Sequence, residues 1–527
     1  MFRQIWVHYE DTPLQRIFWR SSPENPLMIY ELKTITYGTA AAPYLATRVL
    51  KQLADDERGN YPLAAKSTYE DFYVDNYITG TKTIGEAIEL RKQMEAMFAS
   101  AGMQLRKWAS NCPAVLDDLP EENRAILLTL EFDKNQSIKT LGLHWEPHTD
   151  FFKYVIPEKP FDTTIPLTKR NILSCIAKLF DPLGLVGPVV LTAKKIMQAL
   201  WGLKNENGRP LDWDREVPDS MKIRWTSYHT QLPQLNNLRI ERLIVLPNAT
   251  CIELHFFSDA SEAAYGSCVY VRSLNSTGEI KVTLLTSRSK VAPLKLQSIP
   301  RLELCGALLS AELYAKVMKS LRIDAQAYFW VDSTAVLCYL KATPSTWSTF
   351  VANRVSKIQH ATENCEWNFV AGHNNPADII SRGLSPSKLL QSQLWWKGPS
   401  WLQQPTDSWP TFVPDIQTDS DVSKDIRKTS IVFTAPSSIT QPFIEEYVVR
   451  FSNYQKMLRV MSYAQRFIKN SSVSKAEREK SKFLTTNEVR HAELTIIQLV
   501  QQASFPEEWK SLQKKTDGFK QITVALV

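Results

Sequence analysis

The chain has 527 residues, of which 44% are hydrophobic and 22% charged, so it can build several ordinary folded domains and is not disordered throughout. Its runs of mostly apolar residues, such as those at 243–246 and 496–500, are far too short to cross a bilayer, and its first residues lack the basic-then-apolar layout of a secretory signal. Lys and Arg number 62 against 55 Asp and Glu, and the resulting net charge of +7 permits a nucleic-acid partner without requiring one.

These features predict where the protein works. We expect an intracellular protein, in the cytoplasm, the nucleus or both, that is not secreted and has no membrane partner. The 7 cysteines include no CxxC pair, so we expect reduced thiols rather than a disulfide framework or a cysteine metal site.

The composition divides the chain into five parts. Residues 1–115 mix short strands and helices, and residues 116–250 continue with strand-like pieces. Residues 251–390 alternate strands and helices, whereas residues 391–440 are rich in Trp and Pro and are typical of a linker. Residues 441–527 are helical and charged. The predicted fold class is therefore α/β and α+β, with several domains.

Individual elements can be predicted from periodicity. An amphipathic helix over 84–102 ends at Gly102, and a further helical run covers 168–180. The part from 251 to 390 holds a helix over 301–321. Its predicted strands are 252–258, 265–272, 280–287 and 327–331.

Carboxylates follow two of these strands and begin the long helix. Asp259 and Asp332 each end an apolar strand, Glu303 opens the helix, and Asp378 lies in a later Asn-Pro-Ala-Asp segment. A carboxylate beside a core is costly unless something compensates its charge, and a divalent cation is a common compensation. Oxygen-only ligands select hard ions such as Mg²⁺. Taken singly, each Asp is more simply a strand-end or helix-cap residue, but the ordered set indicates a metal site.

The helix that begins near Glu303 supports this arrangement. Small residues follow Glu303 on one face of the helix, at Gly306, Ala307, Ser310 and Ala311. A face of small residues lets a helix lie close to a sheet, which would direct Glu303 toward the strand ends.

This order of carboxylates resembles the ribonuclease H domain of retroelement reverse transcriptases. The resemblance implies a mixed-sheet α/β domain in which Asp259, Glu303, Asp332 and Asp378 are catalytic and hold two Mg²⁺ or Mn²⁺ ions. It also implies that the substrate is an RNA–DNA hybrid or a related nucleic acid, of which the RNA strand is cleaved. His373 would assist product release, although a plain surface histidine explains it equally well.

Three basic residues between the third strand and the Glu303 helix are candidates for contacting nucleic-acid phosphates. They are Arg288, Lys290 and Lys295. A solvated loop is an equal alternative for them. The tryptophans of the linker offer a similar choice between stacking on bases and anchoring the linker to its neighbouring domain, and we favour anchoring.

The N-terminal part resembles a reverse transcriptase palm. Residues 73–76, Tyr-Val-Asp-Asn, are similar to the Tyr-x-Asp-Asp turn that binds metal, and Gly38 lies in a segment similar to the template-contacting Gly motif. Residues 141–145 are similar to the primer-contacting hairpin. Tyr73 and Gly38 are therefore expected to contact nucleic acid. Without these flanking segments, a plain β-hairpin turn would explain residues 73–76 equally well.

Two departures from the palm pattern predict that polymerase activity is lost. Phe2 matches the aromatic residue that gates the sugar, so the first metal-binding Asp would fall before Met1. The second carboxylate of the turn is replaced by Asn76, a neutral and weaker ligand. Asp75 remains as a vestigial metal ligand, and we expect little or no DNA synthesis.

Motifs spread over nearly the whole chain resemble the BEL/Pao class of LTR retrotransposon polyproteins. They include the Asp-Pro-Leu-Gly run at 181–184, the Asn-Pro-Ala-Asp run at 375–378 and the Trp-Trp-Lys-Gly-Pro run at 395–399. The resemblance implies a truncated palm at 1–115, a thumb- or connection-like region at 116–250, a ribonuclease H-like domain at 251–390 and a pre-integrase segment at 441–527. Full-length retroelement proteins would be further partners.

Two rival interpretations remain open to test. The chain could be a non-catalytic relic that binds nucleic acid without cleaving it. The region has also been classified with a Pao retrotransposon peptidase family, but aspartic peptidases need two Asp-Ser/Thr-Gly turns. Neither Asp162 nor Asp332 is followed by such a turn, so we do not expect peptidase activity.

Overall fold

The computed structural model describes residues 1–125, 138–140, 143–157, 166–321, 323–411, 420–427, 442–474, 478–479, 481, 483–506 and 508. Two compact units make up the chain, Met1–Lys428 and Thr429–Val527. The predicted hairpin residues Leu141 and Gly142, and Asp162 of the rejected peptidase motif, lie outside the described residues.

The first unit combines helices with several small sheets and one larger one. Its described helices are α1 (Ala42–Asp56), α2 (Pro62–Asp71), α3 (Ile84–Ser100), α4 (Lys169–Lys178), α5 (Gly187–Gly202), α6 (Asp219–His229), α7 (Ile299–Ser320), α8 (Thr334–Lys341), α9 (Thr349–Ala361), α10 (Ala377–Arg382), α11 (Pro386–Gln391), α12 (Gln393–Lys397) and α13 (Ser420–Ser423). Its described strands are β1 (Arg16–Trp19), β2 (Met28–Glu31), β3 (Phe72–Tyr73), β4 (Asn76–Tyr77), β5 (Ile138–Thr140), β6 (Leu143–Glu146), β7 (Phe151–Lys153), β8 (Ile240–Glu241), β9 (Ala249–Ala260), β10 (Ala264–Asn275), β11 (Ile280–Val291), β12 (Gln326–Val331) and β13 (Glu366–Phe369).

The second unit is helical in its described part. It contains α14 (Pro442–Val449), α15 (Tyr454–Ser472) and α16 (Thr486–Ser504). These helices pack around a small apolar cluster that includes Ile444, Leu458 and Ile496. Among the residues that the structure describes, no helix combines the length and apolar composition needed to cross a membrane.

Local sequence determines where helix α3 begins and ends. The Thr83 hydroxyl accepts a hydrogen bond from the Glu86 amide, and the Glu86 carboxylate accepts one from the Thr83 amide, each at 3.2 Å. This capping box starts the helix. Gly102 follows its end with φ +69°, a left-handed conformation that glycine adopts readily. The helix predicted over 84–102 is confirmed.

The larger sheet has five strands in the order β11-β10-β9-β12-β13. Strands β9, β10 and β11 form an antiparallel meander, whereas β12 pairs in parallel with β9, and β13 in parallel with β12. The strands predicted within residues 251–390 are confirmed, and the structure extends them by up to four residues at either end. The predicted α/β and α+β fold class, with its mixed sheet, is confirmed.

Alternate residues of this sheet face two different cores. Phe257 and Trp330 face a core that also contains residues of α5 and the tryptophans that follow α11. Phe256 and Phe329 face the opposite core, which α7 covers through Leu313. Helix α5 precedes residue 250, so the sheet shares its core with chain on both sides of the predicted domain boundary. The boundary itself stays a prediction.

The Trp/Pro-rich segment after α11 is fixed to the sheet by buried polar contacts. Arg272 donates hydrogen bonds to the carbonyl oxygens of Leu402 and Gln404, each at 2.9 Å, and to the Glu253 carboxylate at 2.7 Å. Trp395 is fully buried in the same core. At least the first part of the predicted linker is thus anchored on the sheet, as the anchoring interpretation of its tryptophans expects.

A tight turn joins the residues before α5 to the edge of the sheet. The Leu183 carbonyl accepts hydrogen bonds from the Ser287 amide at 3.0 Å and the Thr286 hydroxyl at 2.7 Å. Gly184 has φ +72°, and a Cβ there would overlap the Ser287 backbone carbonyl. The turn can therefore approach strand β11 only because residue 184 is glycine.

Replacing Gly184 with alanine is expected to destabilise the first unit by roughly 2–4 kcal/mol, since left-handed strain adds to a clash with backbone that cannot move aside. Thermal unfolding followed by circular dichroism measures the loss. Gly208→Ala is the matched control, because Gly208 has φ +71° and a Cβ there would meet nothing within 4 Å. Equal losses in the two variants would show that the close approach to Ser287 contributes nothing.

Candidate active site

Asp259 and Asp332 lie at the same edge of the larger sheet. Asp259 is the penultimate residue of β9, and Asp332 directly follows β12. The two strands run parallel, and their register pairs Ser258 with Val331, so the two carboxylates occupy neighbouring positions at the carboxyl ends. Asp259 is only 7% exposed. The structure thus brings together the two strand-end carboxylates.

Helix α7 carries Glu303 close to this edge. Gly306 lies one turn further along, and a Cβ there would come within 3.0 Å of the Asp259 carbonyl oxygen. The Ser310 hydroxyl lies 2.6 Å from the Ser267 hydroxyl on β10. The predicted face of small residues is confirmed, and it lets α7 lie directly on the sheet.

Asp378 approaches from helix α10 and the loop before it. The Asn375 side chain is fully buried, donates to the Ser258 carbonyl at 3.1 Å and hydrogen-bonds Asp332. Asn375 therefore ties this loop to both strand ends, three residues before Asp378. His373 is exposed in the same loop, next to Gly372, where a Cβ would lie 3.2 Å from Asp332 Oδ2.

Burial raises the pKa of the carboxyls at this edge. It raises the pKa of Asp259 to about 7, and the neighbouring Asp332 adds to the effect. It likewise raises the pKa of Glu303 to about 7, with repulsion from Asp332 and Asp259 acting in the same direction. The pKa of Asp332 is also raised by burial. A cluster of desolvated, mutually repelling carboxylates favours protons or a bound cation.

Protein partners hold these carboxylates individually. The contacts pair the Ser381 hydroxyl with Asp259, the Ser333 hydroxyl with Glu303 and the Arg382 guanidinium with Asp378. Within the described part of the chain, no three His, Cys, Asp or Glu side chains are arranged to coordinate a metal ion. The donor chemistry nonetheless fits a hard divalent cation, because the donors are carboxylate oxygens in a site that already disfavours their unpaired charge.

Sequence reasoning missed Ser333, Ser381, Asn375 and Arg382, the side chains that bind the carboxylates. For two of them the sequence itself carries a signal. Ser381 and Arg382 follow Asp378 by three and four residues, a spacing that places side chains on one helix face. Ser333 and Asn375 act across the chain, and nothing in their local sequence distinguishes them from ordinary cap and loop residues.

Comparison with known proteins identifies the central part of the chain. Residues 168–333 match a family model described as the Pao retrotransposon-like RNaseH-like domain. This part of the chain is therefore similar to Pao retrotransposon-like domains, and we refer to it as the Pao-like domain. The match begins one residue before α4 and includes Asp259, Glu303 and Asp332. The predicted resemblance to Pao retroelement proteins is confirmed over these residues, and the finer BEL/Pao class stays a prediction.

Solved structures similar to the chain include a foamy viral protease-reverse transcriptase in complex with dsDNA. It is 12% identical with a TM-score of 0.39, over 70% of this chain and 65% of the viral chain, so this chain spans less than two thirds of it. The N-terminal RNase H domain of a Mycobacterium tuberculosis protein is 12% identical with a TM-score of 0.20, over 27% of this chain and 97% of that one. RNase H1 from Halobacterium salinarum NRC-1 is 11% identical with a TM-score of 0.17, over 27% and 98%. No curated protein matches the sequence.

The predicted phosphate-contacting residues lie at one edge of the Pao-like domain. Arg288 and Lys290 are exposed on the edge strand β11, and Lys295 is exposed in the loop between β11 and α7. The Lys290 ammonium lies 3.9 Å from the Glu312 carboxylate on α7. All three are accessible to a polyanion, and their role stays a prediction.

The palm-like candidates lie outside the Pao-like domain. Strands β3 and β4 form the predicted hairpin, with Tyr73 paired to Asn76 and both exposed. Val74 in the turn has φ +58°, which is unusual for a β-branched residue. Asp75 is exposed, and its carboxylate accepts a hydrogen bond from the Asn76 amide at 3.3 Å.

The two remaining palm candidates, Phe2 and Gly38, both precede this hairpin in the sequence. Phe2 packs against the apolar cluster that also receives Phe72. Gly38 lies in an exposed turn with φ +90°, a conformation suited to glycine. The structure therefore confirms the hairpin as a local fold, whereas metal binding by Asp75 and nucleic-acid contacts by Phe2, Gly38 and Tyr73 stay predictions.

Proposed function

We propose that this chain is a retroelement polyprotein fragment whose Pao-like domain hydrolyses the RNA strand of RNA–DNA hybrids in a reaction that needs a divalent metal ion. The observation that carries the proposal is the cluster of Asp259, Glu303 and Asp332 at one sheet edge, where burial raises the pKa of each carboxyl. Such perturbed groups concentrate at functional sites.

Each carboxylate has a distinct part in this proposal. Asp259 and Asp332, neighbours on parallel strands, would hold ions between them, while Glu303 and Asp378 would contribute from the helices on either side. Bound Mg²⁺ or Mn²⁺ lowers the pKa of a water and neutralises charge on the phosphate that is cleaved. The protonated carboxyls must lose their protons before they can serve as ligands. Arg382 holds Asp378 in the absence of an ion.

Basic residues on and after the edge strand β11 indicate the nucleic-acid partner. Arg288, Lys290 and Lys295 would attract phosphates by charge, and His373 lies in the loop beside Asp332, where it would meet product. RNA would be selected over DNA by the 2′-hydroxyl and by the A-like shape of the hybrid. We place this activity inside the cell, in the cytoplasm, the nucleus or both.

We further propose that the palm-like region makes no DNA. An amide at residue 76 is a weaker metal ligand than a carboxylate, so the turn at 73–76 supplies less negative charge for two-metal nucleotidyl transfer than a Tyr-x-Asp-Asp turn would. Aspartic peptidase activity, which the classification of similar regions with a Pao retrotransposon peptidase family suggests, has no support from the carboxylates described, because Asp332 is not followed by the Ser/Thr-Gly that such enzymes use.

The direct test is cleavage of a labelled RNA–DNA hybrid by the purified chain, with Mg²⁺ and with EDTA. We expect cleavage of the RNA strand with Mg²⁺ or Mn²⁺ and none with EDTA. The same oligonucleotides as RNA–RNA and DNA–DNA duplexes control for substrate choice. A folded chain that binds the hybrid without cleaving it in Mg²⁺ or Mn²⁺ would reject the nuclease proposal and favour the non-catalytic relic.

A further inference from the structure

A short segment far along the chain, residues 422–427, packs against the start of helix α7. Asp425 lies in this segment and is 2% exposed. Its carboxylate accepts hydrogen bonds from Arg301 Nε at 3.0 Å, from the Tyr339 hydroxyl at 2.9 Å and from the Ser348 hydroxyl at 3.3 Å. These donors belong to α7, to α8 and to the residue preceding α9, so a single buried carboxylate joins three helices.

Main-chain and apolar contacts dock the same segment. The Ser348 amide donates to the Asp425 carbonyl at 2.7 Å, and the Arg427 amide donates to the Thr346 carbonyl at 2.8 Å. Val422 is fully buried in the core shared by α7, α8 and α9. The segment is therefore part of the folded domain, although its sequence lies within the predicted linker.

Two of the joined helices, α7 and α8, adjoin the candidate active site. Arg301 precedes Glu303 by two residues on α7. Helix α8 begins directly after Asp332 and Ser333, and the Ser333 hydroxyl donates to Glu303. A shift of α7 against α8 would move Glu303 away from the strand-end carboxylates, and metal ligands must be held to within about 0.5 Å.

We propose that Asp425 is a positioning residue that holds Glu303 in register with Asp332 by fixing Arg301 against α8 and α9. The inference rests on the proposed function, since it concerns how the same carboxylates are held for metal binding. In this proposal Asp425 contacts neither substrate nor metal, since its carboxylate binds Arg301, Tyr339 and Ser348. It acts through Arg301, and a buried charge that loses its partner costs stability as well as position.

The experiment must separate positioning from plain stabilisation. Asp425→Asn keeps the shape of the side chain but removes the charge that binds Arg301. The matched control is Glu253→Gln, which removes the charge of the buried partner of Arg272 in the same domain, six residues before Asp259 on strand β9. Both variants should unfold at a lower temperature than the wild type, because Asp425→Asn removes the charge of a buried carboxylate that joins three helices, and Glu253→Gln leaves the buried Arg272 guanidinium without its partner.

The readouts are the Mg²⁺ concentration that gives half-maximal cleavage and the rise in unfolding temperature that Mg²⁺ produces, both measured on the full chain below its unfolding transition. We expect Asp425→Asn to raise the half-maximal Mg²⁺ concentration by about tenfold and to diminish the Mg²⁺-induced rise, while Glu253→Gln changes both by less than about twofold. If Asp425→Asn does not fold, Arg301→Lys replaces it, because lysine keeps the charge and loses the forked contact.

The possible failures are distinguishable. Equal Mg²⁺ responses in the two variants, with a wild type that responds, would overturn the positioning role of Asp425 and leave the proposed function standing. A wild-type chain that neither cleaves the hybrid nor gains stability from Mg²⁺ would overturn the proposed function and this inference together.

Discussion

Asp332→Asn is expected to reduce Mg²⁺-dependent cleavage of an RNA–DNA hybrid by more than about 100-fold. Loss of a residue that merely binds a metal ligand costs up to about 100-fold, and loss of the ligand itself should cost more. The reason is geometric and electrostatic. Asp332 stands beside Asp259 at the carboxyl ends of two parallel strands, so it supplies charge where an ion would lie. An amide keeps the shape and the contact with Asn375 but carries no charge. Initial cleavage rates at saturating Mg²⁺ measure the effect.

The matched control for this change is Asp324→Asn. Asp324 is exposed and lies just before β12, at the opposite end of the strand that Asp332 follows. This control should cleave at the wild-type rate. Both variants should bind the hybrid in EDTA as the wild type does, since the residues proposed to contact phosphates are untouched. Retention of full activity by Asp332→Asn would rule out a role for this edge of the sheet in catalysis.

Much of the domain could be predicted because its information is local. Apolar residues mark β9 and β12, and an Asp lies at the carboxyl end of each strand. Helical spacing of small residues after Glu303 predicts a helix that lies on the sheet, and Gly306 does so against the Asp259 carbonyl. Where one element sets both the position and the direction of a side chain, sequence is enough.

The rest depends on contacts between distant parts of the chain. Arg301 and Asp425 are 124 residues apart, and the composition around Asp425 is typical of a linker. The turn at Gly184 meets Ser287, 103 residues away, and only the close backbone approach explains why a glycine stands there. Neither pairing leaves a local periodicity, because long-range contacts are selected by the whole fold.

Protonation links the stability of the metal-free protein to its proposed metal site. The pKa of Asp259 is raised from 3.8 to about 7, and that of Glu303 from 4.5 to about 7. At a pH between the unfolded and the folded pKa, each carboxyl keeps a proton in the folded state that it has released in the unfolded state. These two groups therefore make the free energy of unfolding fall as pH rises from about 4 to about 7. His255 acts in the opposite direction, because burial lowers its pKa and folding then excludes a proton.

Asp259→Asn is therefore expected to stabilise the metal-free protein relative to the wild type by about 2 kcal/mol at about pH 8, and by little at about pH 4. The difference between the two proteins cancels the contribution of His255. Unfolding temperatures measured in EDTA across this pH range test the prediction. Asp324→Asn, which removes an exposed carboxylate, should track the wild type throughout.

Adding Mg²⁺ should reverse the order of the two proteins. A metal ion competes with protons for the same oxygens, so its stabilising effect on the wild type should be small at about pH 5 and large at about pH 8. Asp259→Asn should gain little from Mg²⁺ at any pH, because one ligand is gone. If the stabilisation of the wild type by Mg²⁺ does not grow with pH, the carboxyls with raised pKa values are not the groups that bind the metal. Burial alone would then account for those pKa values.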